Sequence, residues 1–494
     1  MTQTTLHQVF GFVATLCLVA ACDDAPAEPN GDAGVVTSDG GVIPPGTDGG
    51  IPPGADAGPP PGVCPPDAEA RFDAVVTQLE AALSEHDVPG ASIVVVCGRE
   101  TVMTDALGTL ERGGSEPVNA DTRFMLGSTA KMFTAALALS LQADGTIDLS
   151  APVSGALGSG AYGGVTYEQL LTHTAGMPRD FEFDHSAPLS VAVASNTDIE
   201  LWAPPGEVWL FSDPSFSVAG YAMETAAGEP FADLLRSRVI EPAGMTATPV
   251  VLNVIEDGNY AWGHSAQERY GSEPLAPDAP AYLSYHAPTG GVWGSANDLA
   301  RWIQVHVAEE PPIDPAIVEA LRTGLTPTTS VGVEYGYGHH VDNGARPPMV
   351  YQGAFSPGFV IDFMVIPEDG FGVAILANSD TYPGGAIGWA AAEQFARLGR
   401  DPSVERPTPP EVWSDYVGTY RDDDVLGEIV VSRDGDELTA MFVDRGGEST
   451  LTHLYDNSYE AMIDGFPTEI SFWRPDGGEA SYIVSFAGVA ERMD

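Results

Sequence analysis

Residues 127–145 of this 494-residue chain read GSTAKMFTAALALSLQADG, a helix pattern around which the other segments can be placed. Its Lys131 is the only lysine, because the 20 basic residues comprise one lysine and 19 arginines. Average composition would supply roughly 25 to 30 lysines in a chain this long, so Lys131 looks retained rather than incidental. We expect this helix to begin at Ser128 and to run to Gly145.

Ser128 and Lys131 have the spacing of a nucleophile and its partner. Residues i and i+3 share one face of a helix, so the two side chains can touch. Serine is a poor nucleophile until a neighbouring base takes its proton. At a helix start the Ser128 amide is free to point at an oxyanion, and the helix dipole and burial both disfavour a charged lysine. The pair therefore indicates acyl-transfer chemistry.

Strand patterns lie at both ends of a mostly helical region. The strings ASIVVVC and TVMTDALG predict two adjacent buried strands, and VIDFMVIP and FGVAILAN predict two more before an Ala-rich helix. The intervening residues, about 150 to 310, are helical in pattern with Pro and Gly interruptions. This arrangement predicts an α/β fold, in which a sheet is flanked by helices and carries an all-helical insertion.

The periodicity changes after a proline-rich joint at residues 406–413, RPTPPEVW. Short alternating runs follow, namely GEIVVSR, ELTAMFV, EISFWR and ASYIVSF, with GDG and PDGG turns between them. Alternation with a period of two over roughly 80 residues predicts a small antiparallel β-barrel or sandwich, residues 410–494.

The order of these segments resembles the serine β-lactamase-like superfamily, in particular class C β-lactamases and the related penicillin-binding proteins. The matching strings are VPGASIVVV, the Ser128 helix with SxxK, VTYEQLLTHTAGMP, VIEPAGMTAT, APTGGVWGSANDLARW and SPGFVIDFMVIPEDGFGVAILAN. YVGTYRDDDVLGEIVVSRDGDEL resembles a lipocalin-like domain often appended to such enzymes. The resemblance implies a serine hydrolase domain at residues 67–402, a β-lactamase-like antiparallel sheet, and a C-terminal β domain.

The second motif of this family departs from its usual form. Relatives place Tyr-x-Asn where this chain has Phe211-Ser212-Asp213, so the first residue has no hydroxyl to relay a proton. A carboxylate at Asp213 would favour the charged form of Lys131 and work against a free-amine base. We therefore expect Lys131 to move protons only as a coupled pair with Asp213, which makes Ser128, Lys131 and Asp213 the predicted catalytic residues.

The third motif also departs, because Gln352-Gly353-Ala354 stands where relatives have Lys-Thr-Gly or a histidine-containing version. The resemblance implies that Gln352, Gly353 and Phe211 contact substrate and that the Phe355 amide is the second oxyanion donor. Gln352 has no positive charge with which to hold a substrate carboxylate, which argues against penicillins, cephalosporins and peptides that end in a free carboxylate as substrates. Small uncharged esters or amides lose less binding energy from the missing cation, because they have no carboxylate.

Three histidines call mainly for a structural interpretation. We expect His173 to support the fold through hydrogen bonds, with a catalytic part as the less favoured interpretation. His339 and His340 are expected in a partly exposed strand pair, although an imidazole there could also approach the site. The cluster Asp422, Asp423 and Asp424 fits a solvated turn, and we expect neither a metal nor another cofactor.

Charge and the N-terminal residues bear on partners and location. A formal net charge of −50 repels phosphate backbones and argues against nucleic acid as a partner. Residues 1–22 resemble a lipoprotein signal that ends in the lipobox LVAAC, which implies lipidation at Cys22 and a lipid-anchored protein exported to the cell envelope. An uncleaved membrane anchor is the alternative. Residues 23–66, rich in Gly, Pro, Ala and Asp, predict a disordered linker.

Export would place Cys64 and Cys97 in an oxidising compartment, where either a disulfide or two buried free thiols are compatible with the sequence. The leading functional hypothesis is an exported serine hydrolase, esterase- or amidase-like rather than an efficient β-lactamase, acting on small-molecule esters, amides or peptides. The alternative is a non-catalytic protein that retains the cleft to bind cell-wall or peptide ligands.

Overall fold

The computed structural model describes most of the chain from residue 61 onward. The described ranges are 61–158, 162–179, 188–245, 248, 258–266, 273–277, 286–399, 411–422, 426–463, 466–475, 478–485 and 488–493, with residues 35–36 and 42–43 before them. Across these ranges, no helix has the length and apolar character needed to span a bilayer. The predicted signal and Cys22 lie outside the described residues.

The described strands that precede residue 400 fall into three sets. In chain order they are β1 (Val35–Val36), β2 (Val42–Ile43), β3 (Gly90–Cys97), β4 (Thr101–Gly108), β5 (Phe124–Met125), β6 (Trp293–Gly294), β7 (Thr326–Pro327), β8 (Val333–Tyr335), β9 (His340–Asp342), β10 (Met349–Tyr351), β11 (Ala354–Ser356), β12 (Phe359–Ile366) and β13 (Phe371–Ala377). The β1–β2 and β5–β6 pairs are separate two-stranded ladders, and the others form the main sheet.

The main sheet is antiparallel, and among the described residues its order is β4-β3-β13-β12-β10-β9-β8-β7, with β11 paired to β12. Every residue of β3, β12 and β13 is buried, because helices cover both faces. Alternate residues of β3 point to opposite faces, as strand geometry requires. Val94 and Val96 join the core on the side of the Ser128 helix, and Ile93 and Val95 join the core on the other side.

Some of the described helices cover this sheet, and the others belong to the insertion or to the C-terminal domain. In chain order they are α1 (Ala68–Glu85), α2 (Ala130–Ala143), α3 (Ser154–Leu157), α4 (Tyr167–Leu171), α5 (Leu189–Ala194), α6 (Asp213–Ala227), α7 (Phe231–Leu235), α8 (Ala296–Val307), α9 (Pro315–Leu321), α10 (Ala386–Phe395) and α11 (Trp413–Tyr416). Ser295 caps α8 in a reciprocal capping box with Asp298, which sets where that helix begins. Helices α3 to α7 form the helical insertion. It is shorter than the predicted range of about 150 to 310, because α8 packs against β3 and β13 of the main sheet instead.

The C-terminal residues form one further antiparallel sheet. Its strands are β14 (Gly418–Asp422), β15 (Gly427–Asp434), β16 (Glu437–Phe442), β17 (Gly447–Thr450), β18 (Thr452–Tyr455), β19 (Ser458–Ile463), β20 (Phe466–Trp473), β21 (Tyr482–Ser485) and β22 (Val489–Arg492). Within the described residues the order is β17-β16-β15-β14-β22-β21-β20-β19-β18. The end strand β17 returns close to β19, so the sheet is a nearly closed barrel around its own apolar core, as the alternating runs predicted.

The chain just before α1 is tied to the main sheet. A disulfide joins Cys64 to Cys97 at the end of β3, with the Cα atoms 5.1 Å apart. The Gly62 amide also donates to the Asp369 carbonyl at 3.1 Å. The structure therefore contains the disulfide rather than two free thiols, and the last residues of the predicted linker contact the folded domain.

Most of the short strands were not predicted from the sequence; the exception is β9, which begins at His340 of the predicted strand pair. Strands β7 to β11 have only two or three residues each and are interrupted by Pro and Gly, so no alternating run is long enough to be recognised. They nevertheless extend the sheet beside the Ser128 helix. β11 contains Phe355 and therefore forms one side of the site described next.

Candidate active site

Ser128 and Lys131 meet at the start of α2. Ser128 lies in a single 3₁₀ turn, Gly127–Thr129, and Lys131 lies in the first turn of the α-helix that follows. The Lys131 Nζ donates to the Ser128 Oγ at 3.0 Å. Lys131 is fully buried, whereas Ser128 is partly exposed. The hydroxyl is therefore reachable from solvent while the amine behind it is not.

Lys131 has two further acceptors, which come from two other segments. Its Nζ donates to the Asp213 Oδ1 at 2.6 Å and to the Thr289 carbonyl at 3.0 Å. The Thr289 hydroxyl donates to the same Asp213 oxygen at 2.6 Å. Together with Ser128 Oγ, these acceptors match the three donor protons of a lysine ammonium. The resting arrangement is thus a charged Lys131–Asp213 pair.

Asp213 is the first residue of α6, where Ser212 supplies the N-cap. The Asp213 side chain is 32 % exposed, and Lys131 is its partner in the ion pair. Burial acts to raise the pKa of Asp213, but the Lys131 charge and the hydrogen bonds from Lys131 and Thr289 outweigh burial and hold this pKa well below its usual range. Asp213 is consequently a carboxylate at neutral pH.

Aromatic rings enclose the Lys131 amine. The Nζ lies 4.8 Å from the centroid of Phe211 and 5.6 Å from that of Phe216, distances typical of cation–π contacts. The Phe211 ring stabilises the ammonium without offering a hydroxyl. The Arg179 guanidinium lies over the same Phe211 ring at 5.2 Å.

His173 supports the segment that leads into Asp213. Its carbonyl accepts from the Leu210 amide at 2.8 Å, and its Nδ1 accepts from the Ser212 amide at 3.1 Å. Its backbone has a φ of 59°, a left-handed conformation that is uncommon for histidine. Burial, reinforced by Lys131, lowers the pKa of His173 well below its usual range. A neutral, structural histidine is the interpretation that the sequence favoured.

His339 and His340 point in different directions, as alternation along a strand requires. The His339 Nε2 donates to the Leu321 carbonyl, and the His339 ring contacts His306 in the core. His340 stacks on Tyr351 at 5.0 Å and meets Trp209 edge-on. Both histidines are buried, not partly exposed as predicted, because His340 lies in β9 between other strands of the sheet and His339 packs against Leu321 and His306.

Strand β11 lies against the turn that carries Ser128. A Cβ atom placed on Gly127 would come within 2.9 Å of the Ala354 Cβ, and Gly127 itself has a φ of 52°. Only glycine fits this close approach, which brings Ser128 next to the strand that holds Phe355. The Phe355 side chain is 39 % exposed, so an apolar surface borders the nucleophile.

Gln352 and Gly353 lie just before β11 and are both buried. The Gln352 Nε2 donates to the Gly353 carbonyl at 2.9 Å, and the Gln352 side chain has no exposed surface. Gln352 thus adds no charge to the cleft, and its contact with substrate stays a prediction. No group of three His, Cys, Asp or Glu in the described ranges is arranged to hold a metal ion.

Three residues of this site were not predicted from the sequence. Phe216 lies three residues after Asp213 on α6, so helical spacing could have placed it on the same face. Thr289 belongs to the quoted string APTGGVWGSANDLARW, but nothing in one sequence distinguishes its carbonyl as a lysine acceptor. Arg179 directly follows the string ending in GMP, and its approach to Phe211 depends on tertiary packing.

Comparisons with known proteins extend over most of the chain. A model of the Beta-lactamase family matches residues 72–397. An unguisins hydrolase of Aspergillus campestris is 29% identical over 348 residues, which cover 64% of this chain and 63% of that protein. The chain thus spans less than two thirds of the length of this relative.

Two solved structures show the same fold. SurE with D-Leu has a TM-score of 0.65 at 23% identity, covering 86% of this chain and all of the SurE chain. A class C β-lactamase from Rhodobacter sphaeroides has a TM-score of 0.56 at 21% identity, covering 65% of this chain and 98% of its own. These likenesses confirm the predicted β-lactamase-like architecture.

Proposed function

The chain belongs to the Beta-lactamase family of serine hydrolases, and on that premise we propose that it hydrolyses small esters or amides through an acyl-enzyme on Ser128. The observation that carries the proposal is the 3.0 Å contact between Ser128 Oγ and the buried Nζ of Lys131. Lys131 is also the only lysine of the chain. A nucleophile and a proton carrier within hydrogen-bond reach meet the first requirement of covalent catalysis.

The proton of Ser128 has a defined route. Lys131 passes one proton to Asp213 across the 2.6 Å contact, and the resulting amine accepts the proton of Ser128 as its Oγ attacks the substrate carbonyl. The new C–O bond produces an oxyanion, which accepts hydrogen bonds from the Ser128 and Phe355 amides. Lys131 then returns the proton to the leaving oxygen or nitrogen. Water completes the cycle by the same route and releases the acid.

The substrate preference follows from charge. Gln352 is neutral and has no exposed surface, so the position that is cationic in relatives cannot attract a carboxylate. Phe355 offers an apolar surface beside Ser128. We therefore expect p-nitrophenyl acetate to be hydrolysed far better than nitrocefin. Arg179 is a second cation near the cleft, and faster nitrocefin cleavage would mean that it binds the substrate carboxylate instead.

The test of the acyl-enzyme uses a fluorophosphonate probe. Wild-type protein and a Ser128→Ala control are incubated with the probe, and the modified peptide is identified by mass spectrometry. The proposal predicts one adduct, on Ser128, that is absent from the control. Absence of any adduct after hours of incubation would refute it.

One observation favours a second function, the binding of a peptide or cell-wall ligand without catalysis. Lys131 already donates to three acceptors, and Phe211 provides no replacement hydroxyl. A protein of this kind would not react with the probe but would bind a cell-wall peptide in calorimetry. Retention of a single lysine at this position supports the hydrolase.

The proposal includes export and a lipid anchor on Cys22. The LVAAC string supports it, and so does the Cys64–Cys97 disulfide, since disulfides persist mainly in oxidising compartments. Expression of the full chain in bacteria with radiolabelled palmitate should label the wild type but not Cys22→Ala. Equal labelling of both would exclude lipidation at this residue.

A further inference from the structure

The barrel domain contacts the same segment that carries Phe211 and Asp213. We define the arm as residues 202–212, the stretch that leads into α6. Apolar residues of the arm, of β8 and of the barrel form one buried cluster, which contains Ala203, Val208, Trp209, Leu210, Phe211, Tyr335, Trp473, Tyr482 and Val489. The two domains therefore share a core, and this core ends at the ring that covers Lys131.

A hydrogen bond fixes the contact between arm and barrel. The Tyr482 hydroxyl donates to the Glu207 Oε2 at 2.6 Å. Burial and the nearby Glu207 carboxylate raise the pKa of Tyr482 above its usual range, so the hydroxyl keeps its proton and remains a donor. A second polar contact joins the two domains, where the Val331 amide donates to the Asp456 carboxylate of the barrel at 3.0 Å.

The opposite side of the arm is held by the catalytic domain. The Trp202 amide donates to the Gly176 carbonyl at 2.8 Å, and the Gly206 amide donates to the Thr174 carbonyl at 2.7 Å. The Ser212 hydroxyl donates to the Pro178 carbonyl at 2.6 Å. The arm thus contacts residues 174–178 of its own domain on one side and the barrel on the other.

We propose that Tyr482 is a positioning residue, through which the barrel sets the geometry of the Lys131–Asp213 pair. The path from the barrel to the pair is short. Tyr482 holds Glu207 of the arm. Further along the arm, the centroid of the Phe211 ring lies 4.8 Å from the Lys131 Nζ, and Asp213 begins the helix directly after the arm. A displacement of Glu207 should be transmitted along the arm to Phe211 and Asp213, because a close-packed interior has little free space to absorb it. The consequence for rate rests on the proposed function; the positional coupling does not.

The single lysine allows a direct measurement. Protein grown with [ε-¹³C]lysine has one labelled side chain, so its NMR spectrum contains one signal, from Lys131. The test variant is Tyr482→Phe, which removes only the hydroxyl. The matched control is Tyr420→Phe, which removes a barrel hydroxyl that donates to the Tyr416 carbonyl at 2.9 Å inside the barrel.

We expect Tyr482→Phe to shift the Lys131 signal and to slow fluorophosphonate labelling of Ser128 about tenfold, since misplacing a catalytic group by about 1 Å costs up to about 100-fold. With p-nitrophenyl acetate, kcat should fall while KM changes little. Tyr420→Phe should leave the signal, labelling rate and kcat as in the wild type.

An unchanged Lys131 signal and labelling rate in Tyr482→Phe would overturn the inference. If wild-type protein is not labelled at all, the proposed hydrolase fails, while the NMR comparison still decides the coupling. Glu207→Gln is the second variant, because Glu207 is exposed and its replacement leaves the buried cluster intact. This substitution weakens the acceptor of the Tyr482 hydroxyl, so it should shift the Lys131 signal in the same direction. If neither variant shifts the Lys131 signal, the inference is wrong.

Discussion

Replacing Asp213 by Asn tests the idea that Lys131 is held as a charged member of a pair. The Nζ–Oδ1 separation is 2.6 Å, and at an effective dielectric constant of about 20 two unit charges this close attract by about 6 kcal/mol. The Asp213 side chain is 32 % exposed, so we expect solvent to reduce this to roughly 3 kcal/mol. Loss of this attraction in Asp213→Asn should therefore lower the pKa of Lys131 relative to the wild type, as the reciprocal of the lowered pKa of Asp213.

The assay combines the single-lysine NMR signal with the rate of fluorophosphonate labelling between about pH 6 and pH 10. In the wild type the proton moves within the pair, so labelling should be nearly independent of pH where the pair remains charged. In Asp213→Asn the rate should rise with pH, with its inflection at the titration midpoint of Lys131. A midpoint equal to that of the wild type, or a flat labelling profile in the variant, would refute the pairing argument. Asp233→Asn, which removes a surface carboxylate paired with Arg236, is the control.

Three further outcomes follow from burial, charge and the disulfide. Burial lowers the pKa of His339 to about 4, so as the pH falls below about 6.5 this histidine binds a proton in the unfolded chain before it does so in the folded protein. Between pH 7 and pH 5 the free energy of unfolding should therefore fall by about 2 kcal/mol more in the wild type than in His339→Gln. Urea unfolding at the two pH values measures this difference. With a net charge of −50, the melting temperature should rise between about 0.05 and 0.5 M NaCl, and a flat melting temperature would count against self-repulsion. Replacing Cys64 and Cys97 by Ala opens a link between residues 33 apart in sequence and should cost about 3 to 4 kcal/mol of stability, whereas no change in the urea midpoint would show that the bond does not constrain the unfolded chain.

The local parts of the site could be predicted because they depend on local spacing. Ser128 and Lys131 are three residues apart, and helical geometry alone brings their side chains together. The strands β3, β12 and β13 were recognisable for a similar reason, since their continuous apolar runs have no alternative to burial. The pairing of Lys131 with Asp213 followed from the resemblance, not from spacing, because 82 residues separate them.

Other features depended on contacts that no local pattern encodes. The sequence by itself determined the helix that holds Ser128 and Lys131, the buried strands and the alternating C-terminal domain, because periodicity and composition are properties of neighbouring residues. Only the tertiary structure decided that Thr289 and Phe216 complete the surroundings of Lys131, that Gln352 is buried, and that Tyr482 meets Glu207 across 275 residues of chain. Such contacts arise when separate elements pack together, and their geometry is set by the shared core rather than by any single segment.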